Sequence, residues 1–274
     1  GAKGAQRWLA VGGFRFQPSE IMKLVLPLTV AWYLADRALP PRFFHIMVAL
    51  LLIGLPAALI LQQPDLGTAL LIAASGLFVL FMAGMGWRYI FGAVILAGAS
   101  TWPAWMFVLK DYQKQRILTM LDPESDKLGA GWNIIQSKTA IGSGGWEGKG
   151  WMNGTQSHLD FLPESHTDFI IAVLSEEFGL RGVLVLMSIY LLILLRGFWI
   201  GIQARSTFGR TVAGSLTLTF FVYIFVNMGM VAGLLPVVGV PLPLVSAGGT
   251  SVVTLMAGFG ILMAISTEKS AGPR

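Results

Sequence analysis

The sequence contains no cysteine, which excludes disulfides, thiolate nucleophiles and cysteine-ligated metal sites. Charge is also scarce: only 12% of the residues are Asp, Glu, Lys or Arg, whereas a soluble domain carries about 25%. With 55% hydrophobic residues and a mean hydropathy of +0.70, the chain has too little polar surface to cover a globule in water. The sequence therefore predicts a membrane protein that is solvated by lipid.

Other features that the sequence lacks exclude further classes of protein. The chain shows no initiating Met and no signal peptide, so we interpret it as a fragment or a processed product. It has no Walker A, Rossmann or zinc pattern. A net charge of +5 could suggest nucleic acid, but the basic residues are spread over short connections between apolar runs. We therefore expect no nucleic-acid partner and interpret these bases as determinants of membrane orientation.

Seven runs are long and apolar enough to cross the hydrocarbon layer, which takes roughly 20 residues as a helix. They cover about residues 18–35, 43–61, 66–87, 89–109, 169–195, 212–235 and 246–267. A Pro/Gly-rich connection, Pro236 to Pro243, divides an uncharged stretch into the last two runs. The predicted fold is an all-α polytopic membrane protein with about seven transmembrane helices, in a single domain over residues 1–274.

Basic residues mark one face of this stack. Eight bases lie in one set of connections and in the tail: Arg37, Arg42, Arg88, Arg196, Arg205, Arg210, Lys269 and Arg274. The opposite short connections contain no base, so the positive-inside rule places the first set in the cytoplasm. Lys3, Arg7 and Arg15 then fall outside, against that rule.

The loop over residues 110–165 is predicted on the outer face and is far longer than an ordinary connection. Its tryptophans and aliphatic residues favour a structured loop that packs on the membrane surface. Counted through Asp168, it holds eight of the 14 carboxylates of the chain. Long structured loops often carry function, so this loop is the first place to look for a site.

Glu164, His166 and Asp168 form the sharpest cluster. Ser165 or Thr167 is predicted to cap the following helix, with Asp168 in its first turn, where the helix dipole favours a carboxylate. Two carboxylates and an imidazole within one turn suit proton abstraction from a sugar hydroxyl, or metal binding. The alternative is that these residues only cap a helix at a wet interface.

Two further polar motifs begin helices. Pro18 and Ser19 are predicted to start one helix, in which Glu20 and Lys23 are spaced to pair; the pair is either functional or a structural ion pair at the interface. Asp65 begins the third predicted span, and a simple helix cap explains it better than a functional role.

The segment from Pro241 to Ser251 precedes the last span and contains Ser246, Gly248 and Gly249. A Gly-Gly pair at a helix start exposes amide donors that can hold an anion such as pyrophosphate. Close helix packing by small residues explains the same pattern and is the favoured interpretation.

Taken together, these motifs resemble the SEDS family (shape, elongation, division and sporulation), and its elongation branch, the RodA-like proteins, most closely. The matching segments extend over essentially the whole chain. They are residues 4–8, 16–20, 63–68, 122–126, 129–137, 141–145, 162–169 and 235–249.

The resemblance implies a rod-shape-determining peptidoglycan glycosyltransferase that polymerises lipid II on the outer face of the bacterial cytoplasmic membrane. It implies ten transmembrane helices, of which this chain would hold the last seven. The family's essential carboxylate corresponds to Asp168, and its Glu and Lys pair corresponds to Glu20 and Lys23. Asp160 matches a loop position associated with activity control. The family usually has Tyr where this chain has Ala247, so a role of that Tyr is not transferred.

As a mechanism we expect Asp168 to act as general base on the acceptor 4-hydroxyl, with a polyprenyl pyrophosphate as leaving group. Lys23, Arg7, backbone amides or a divalent cation (Mg²⁺ or Mn²⁺) are the candidates for countercharge; the metal ligands are unknown. Glu164, His166, Asp65, Asp160, Ser246, Gly248 and Gly249 are the other supporting or substrate-binding candidates.

The rival functions are a lipid II flippase and a non-catalytic scaffold of the elongation machinery. The long acidic outer loop favours an enzyme, since a flippase does not need it. By resemblance, the partners are a class B penicillin-binding transpeptidase and other elongation-complex membrane proteins, together with membrane lipid. The expected location is the inner membrane, with the active site on its extracytoplasmic face.

Overall fold

The structure is a computed structural model that describes residues 9–11, 14–63, 65–126, 130–155 and 166–268. Its elements are β1 (Leu9–Val11), β2 (Phe14–Phe16), α1 (Pro18–Ala35), α2 (Phe43–Gln62), α3 (Leu66–Met82), α4 (Trp87–Pro103), α5 (Asp111–Leu121), α6 (Ala130–Gly144), α7 (Ile170–Gln203), α8 (Thr207–Val231) and α9 (Gly249–Thr267). A single turn of π-helix (Ala104–Val108), here called the π-turn, extends α4, and a 3₁₀ turn (Pro123–Asp126) follows α5. β1 and β2 form one short antiparallel hairpin.

Each of the seven predicted spans coincides with a helix, so the all-α polytopic fold is confirmed. Five helices are long and apolar enough to cross a membrane: α2, α4 with its π-turn, α7, α8 and α9. Of the other two, α3 is apolar with 17 residues, and α1 has 18 residues and carries Glu20 and Lys23. Helix α7 continues past the predicted end, because Arg196 lies inside the helix and not in the connection.

The long predicted outer loop contains regular structure where it is described. Helix α5, the 3₁₀ turn and α6 lie within it, and buried Ile134 and Ser137 place one face of α6 in the core. Ser137 Oγ donates a hydrogen bond to Val231 O at the end of α8 (2.8 Å). Apolar side chains at helical spacing thus order a loop whose length alone could have suggested disorder.

The chain divides into two compact units. The first contains Gly1–Met85, Leu191–Tyr223 and Gly248–Arg274. In it, α1 packs against α2, α3 and α9. Ser215 Oγ of α8 donates to Ser75 O of α3 (2.6 Å), a buried polar link of the kind that joins membrane helices.

The second unit contains Gly86–Tyr190 and Ile224–Ala247. It holds the described part of the outer loop, the first part of α7, the end of α8 and the connection that follows α8. Tyr190, buried in α7, donates through its hydroxyl to Pro243 O of that connection (2.6 Å). This bond ties an irregular segment to a regular helix.

Helix α7 is broken at Gly179, whose φ of 63° and ψ of −163° are not helical. The break leaves carbonyls before it and amides after it without their usual partners. Residues 145–150 satisfy them: Lys149 N and Gly150 N donate to the carbonyls of Glu176 and Glu177, both at 2.9 Å. In return, Gly145 O and Trp146 O accept from the amides of residues 180 and 181 (2.9 and 3.2 Å). The first turns of α7, before the break, are therefore a short helical segment that residues 145–150 hold through backbone hydrogen bonds.

Candidate active site

Asp168 lies in a turn, His166–Phe169, immediately before α7. The prediction that Asp168 sits in the first helical turn is wrong by two residues, since α7 begins at Ile170. The side chain of His166 is exposed and that of Asp168 is half-buried, whereas Phe169 is fully buried. Phe169 thus anchors the turn in the core and leaves the two polar side chains nearer the surface.

Three successive carbonyl groups of this turn are held by the C-terminal part of the second unit. His166 O accepts from Ala247 N (2.9 Å), and Thr167 O accepts from Ser246 Oγ (2.5 Å). Asp168 O accepts from Asn227 Nδ2 (2.9 Å). Because each bond fixes one peptide of the turn, the direction of the Asp168 side chain is set by neighbours far away in the sequence.

The connection after α8 also approaches the Asp168 carboxylate. A Cβ atom built on Gly239, which has a φ of 71°, would lie 3.4 Å from Asp168 Oδ2. Glycine at this position therefore combines a left-handed backbone with close approach to the carboxylate. The connection forms one wall beside the candidate base.

Asn227 is a residue of the candidate site that the sequence analysis did not single out. It is fully buried, and its amide donates to Asp168 O and to Val240 O (2.7 Å). It thus joins the Asp168 turn to the connection that flanks it. A single polar residue inside an apolar run was the available signal, but that signal is equally typical of a simple helix bridge.

We expect Asn227→Asp to lower both stability and activity. The carboxylate removes two N–H donors and faces the buried carbonyl of Val240 and the part-buried carbonyl of Asp168. A buried polar group that is left unsatisfied costs about 1–3 kcal/mol. Thermal unfolding in detergent and the rate of glycan synthesis measure the two effects. Asn153→Asp, at an exposed position, is the matched control and should leave both unchanged. An unaltered melting temperature for Asn227→Asp would contradict the role of these bonds.

In the first unit, Glu20 and Lys23 form the ion pair that their spacing predicts. Lys23 Nζ lies 2.6 Å from Glu20 Oε1, and the two side chains are only 11% and 13% exposed. The ammonium group also lies 5.0 Å from the ring centroid of Tyr223. Glu20 Oε2 is buried without a hydrogen-bond partner in the described part of the chain. A hydroxyl or water that donates to this oxygen would satisfy it.

The largely buried pair should be energetically coupled. We expect Glu20→Gln and Lys23→Met to cost about 3–5 kcal/mol each, because either change leaves one buried charge alone. The double variant should recover most of this loss, as measured by thermal unfolding in a double-mutant cycle. Additive losses would contradict the coupling. Glycan synthesis by the stable double variant then decides between the two interpretations of the pair: normal activity indicates a structural pair, and lost activity a direct role.

Asp65 caps α3, as the favoured interpretation predicted. Its Oδ1 accepts from Thr68 N (3.2 Å), and the residue is buried. A helix cap therefore accounts for the placement of the Asp65 carboxylate.

The surroundings of the Gly-Gly pair do not fit the favoured interpretation, which was close helix packing. Gly248 and Gly249 are exposed at the start of α9, and within the described ranges no atom outside the local backbone lies within 4 Å of a Cβ built on Gly249. Helix packing therefore does not explain the pair in this part of the structure. Ser246, in contrast, is buried and bridges two backbone segments, since its Oγ also accepts from Leu242 N (2.7 Å).

Three predicted residues, Arg7, Asp160 and Glu164, lie outside the described residues. Across the ranges that are described, there is no group of three His, Asp or Glu side chains that could hold a metal ion. No described residue set is therefore assigned to Mg²⁺ or Mn²⁺, and a divalent cation stays a prediction.

Comparisons with known proteins agree with the motifs. Residues 1–271 match the family model FTSW_RODA_SPOVE, described as cell cycle protein. The chain is 58% identical over 268 residues to the peptidoglycan glycosyltransferase MrdB of Escherichia coli K12, covering 98% of this chain and 72% of that protein.

Two solved structures have the same fold. One is described as the structural coordination of polymerization and crosslinking by a peptidoglycan synthase complex; its TM-score is 0.79 at 31% identity, with 97% of this chain and 74% of that chain covered. The other is the rod shape determining protein RodA of Thermus thermophilus, with a TM-score of 0.68 at 26% identity over 98% of this chain and 72% of that chain. The family predicted from the motifs is confirmed.

Proposed function

Because the chain belongs to the family of cell cycle proteins that includes FtsW, RodA and SpoVE, we propose that it is a peptidoglycan glycosyltransferase that polymerises lipid II during cell elongation. Its extensive likeness to an enzyme named for this activity supports the reaction. Its likeness to a rod shape determining protein supports the assignment to elongation.

The observation that carries the catalytic assignment is the support of the Asp168 turn. Three hydrogen bonds hold its carbonyls, while the carboxylate stays half-buried beside Gly239. A general base needs a fixed position and access to its substrate. The three hydrogen bonds that fix the turn and the partial exposure of Asp168 support this role. A helix cap would need no such support from residues 227, 246 and 247.

In the proposed reaction, Asp168 accepts the proton of the acceptor 4-hydroxyl. The acceptor oxygen then forms a bond to the anomeric carbon of the donor, and the bond from that carbon to the phosphate oxygen breaks. The bonding electrons leave with the polyprenyl pyrophosphate. An α-linked donor that gives a β-linked strand requires inversion, so a single displacement without a covalent sugar–enzyme intermediate is sufficient.

Stabilising the leaving pyrophosphate needs positive charge or amide donors. Lys23 is already neutralised by Glu20 at 2.6 Å, so its net field on an anion is weak while the pair is intact. Backbone amides and the guanidinium of Arg7 are the further candidates that the sequence offers. A divalent cation would supply the same charge as a Lewis acid.

We place the reaction on the extracytoplasmic face of the inner membrane. The apolar helices make the protein a multi-pass membrane protein. The distribution of arginines supports an outer position for the loop that leads to Asp168. A class B penicillin-binding transpeptidase is the proposed partner, since a structural relative is described as a complex that coordinates polymerization and crosslinking.

The deciding experiment incubates the purified full-length protein with fluorescent lipid II in detergent. We expect glycan strands that lysozyme digests. A flippase would instead move lipid II across a liposome bilayer without polymer, and a scaffold would do neither. Absence of glycan from the folded protein, alone and with its transpeptidase, would overturn the proposed function.

A further inference from the structure

An ion pair in the second unit, with one fully buried partner, has no role in the proposed reaction. Lys149 Nζ lies 2.6 Å from Glu176 Oε1, and the Glu176 side chain is 0% exposed while that of Lys149 is 29% exposed. Thr155 completes the network: its Oγ1 accepts from Lys149 Nζ (2.9 Å) and donates to Glu176 Oε1 (3.2 Å). The pair joins the segment after α6 to the first turns of α7.

Stability alone does not explain this pair well. The same segment and helix are already joined by backbone bonds, including those from Lys149 N and Gly150 N to the carbonyls of Glu176 and Glu177. Burying the Glu176 carboxylate costs several kcal/mol, and a well-packed apolar pair is often equally or more stable. A satisfied polar network, in contrast, fixes one geometry, because its bonds are directional.

The network also has a particular place relative to Asp168. Glu176 lies six residues after the first residue of α7, a rise of about 9 Å. Its ion pair with Lys149 therefore holds the short helical segment that begins next to Asp168. Thr155 is the last described residue before 156–165, and the His166–Phe169 turn follows that stretch. Both flanks of residues 156–165 are thus held: one by Glu176, the other by Asn227, Ser246 and Ala247.

We infer that Lys149, Thr155 and Glu176 are positioning residues for glycosyl transfer. They fix the direction of the first turns of α7, and with it the place of the Asp168 carboxylate against the acceptor hydroxyl. The inference rests on the proposed function, because it assigns these residues to that reaction. They act through Asp168 and do not themselves touch the reacting atoms.

The test replaces the pair by an apolar one, Lys149→Leu/Glu176→Leu, in the full-length protein. We expect the melting temperature to stay near that of the parent, because no buried charge is left alone. We expect kcat for lipid II polymerisation to fall about 10- to 100-fold with KM unchanged, since a displacement near 1 Å costs about that much. Lys149→Arg, which keeps the charge and the donors, should retain kcat within a few-fold.

Glu147 and Arg181 provide a matched control. They form a neighbouring ion pair at 3.1 Å whose side chains are exposed, so Glu147→Gln/Arg181→Gln should leave kcat and melting temperature unchanged. Amide hydrogen exchange of residues 166–172 gives a readout without turnover. We expect faster exchange in the apolar variant than in the parent and the control.

The outcomes separate the two hypotheses. A normal kcat in the apolar variant, or unchanged amide exchange at residues 166–172, overturns the positioning role. The proposed function still stands in that case, because the parent protein polymerises lipid II. A lowered melting temperature with normal kcat per folded molecule assigns the pair to stability only and also overturns it. No glycan from parent and control alike overturns the proposed function, and the inference with it.

Discussion

Asp168→Asn is expected to bind lipid II and to make no glycan strand. The amide has nearly the same size, and the turn is held through its backbone by residues 227, 246 and 247, so the site should keep its shape. An amide cannot accept the proton of the acceptor hydroxyl. Loss of a general base costs about 10²–10⁴ in rate, which brings polymer below detection in a gel assay.

Binding and synthesis should be measured on the same preparation. Fluorescent lipid II reports binding in detergent, and a denaturing gel reports the strands. Glu147→Gln removes an exposed carboxylate from the same unit and should bind and polymerise like the parent. Normal strands from Asp168→Asn would remove Asp168 from the mechanism, and failure to bind would make it a binding residue.

Gly179→Ala should prevent the protein from folding, or destabilise it on the order of 4 kcal/mol. Its φ and ψ lie in a region that only glycine adopts readily. A Cβ atom there would also meet Gly148 N and Trp146 O at under 3.0 Å. The backbone strain of alanine at this position costs about 1–3 kcal/mol. Each backbone hydrogen bond between residues 145–150 and α7 that the Cβ displaces costs about 1 kcal/mol more.

Yield of monodisperse protein and thermal unfolding in detergent measure this effect. Gly142→Ala is the control, since it lies exposed in α6 and the described chain offers nothing within 4 Å of its Cβ. Alanine favours a helix by up to about 1 kcal/mol over glycine, so this control should be unchanged or slightly more stable. A melting temperature of Gly179→Ala near that of the parent would mean that the break in α7 does not need glycine.

The break at Gly179 shows where sequence reasoning reaches its limit. Residues 169–195 form an uninterrupted span by hydropathy, and membrane helices commonly contain glycine. Proline breaks a helix more strongly than glycine does, yet α1 continues through Pro27 and α2 continues through Pro56. Whether a helix breaks depends on which neighbour satisfies the freed backbone groups, and that neighbour is decided by tertiary packing.

Glu176 gives a second example. The structure buries its side chain completely against Lys149, 27 residues earlier in the chain. Asn227 is similar, because its partner carbonyl belongs to Asp168, 59 residues away. Periodicity and capping rules describe neighbours within one or two turns, so they carry no signal for such pairs.

The sequence by itself determined the membrane class, the seven helical spans, the Glu20–Lys23 pair, the cap at Asp65 and the family. These follow from local patterns: apolar length, helical spacing and long contiguous motifs. Only the tertiary structure decided how the Asp168 turn is held, that α7 is broken, and that Glu176 is buried. These features depend on hydrogen bonds between residues distant in sequence, which form only when the chain has folded.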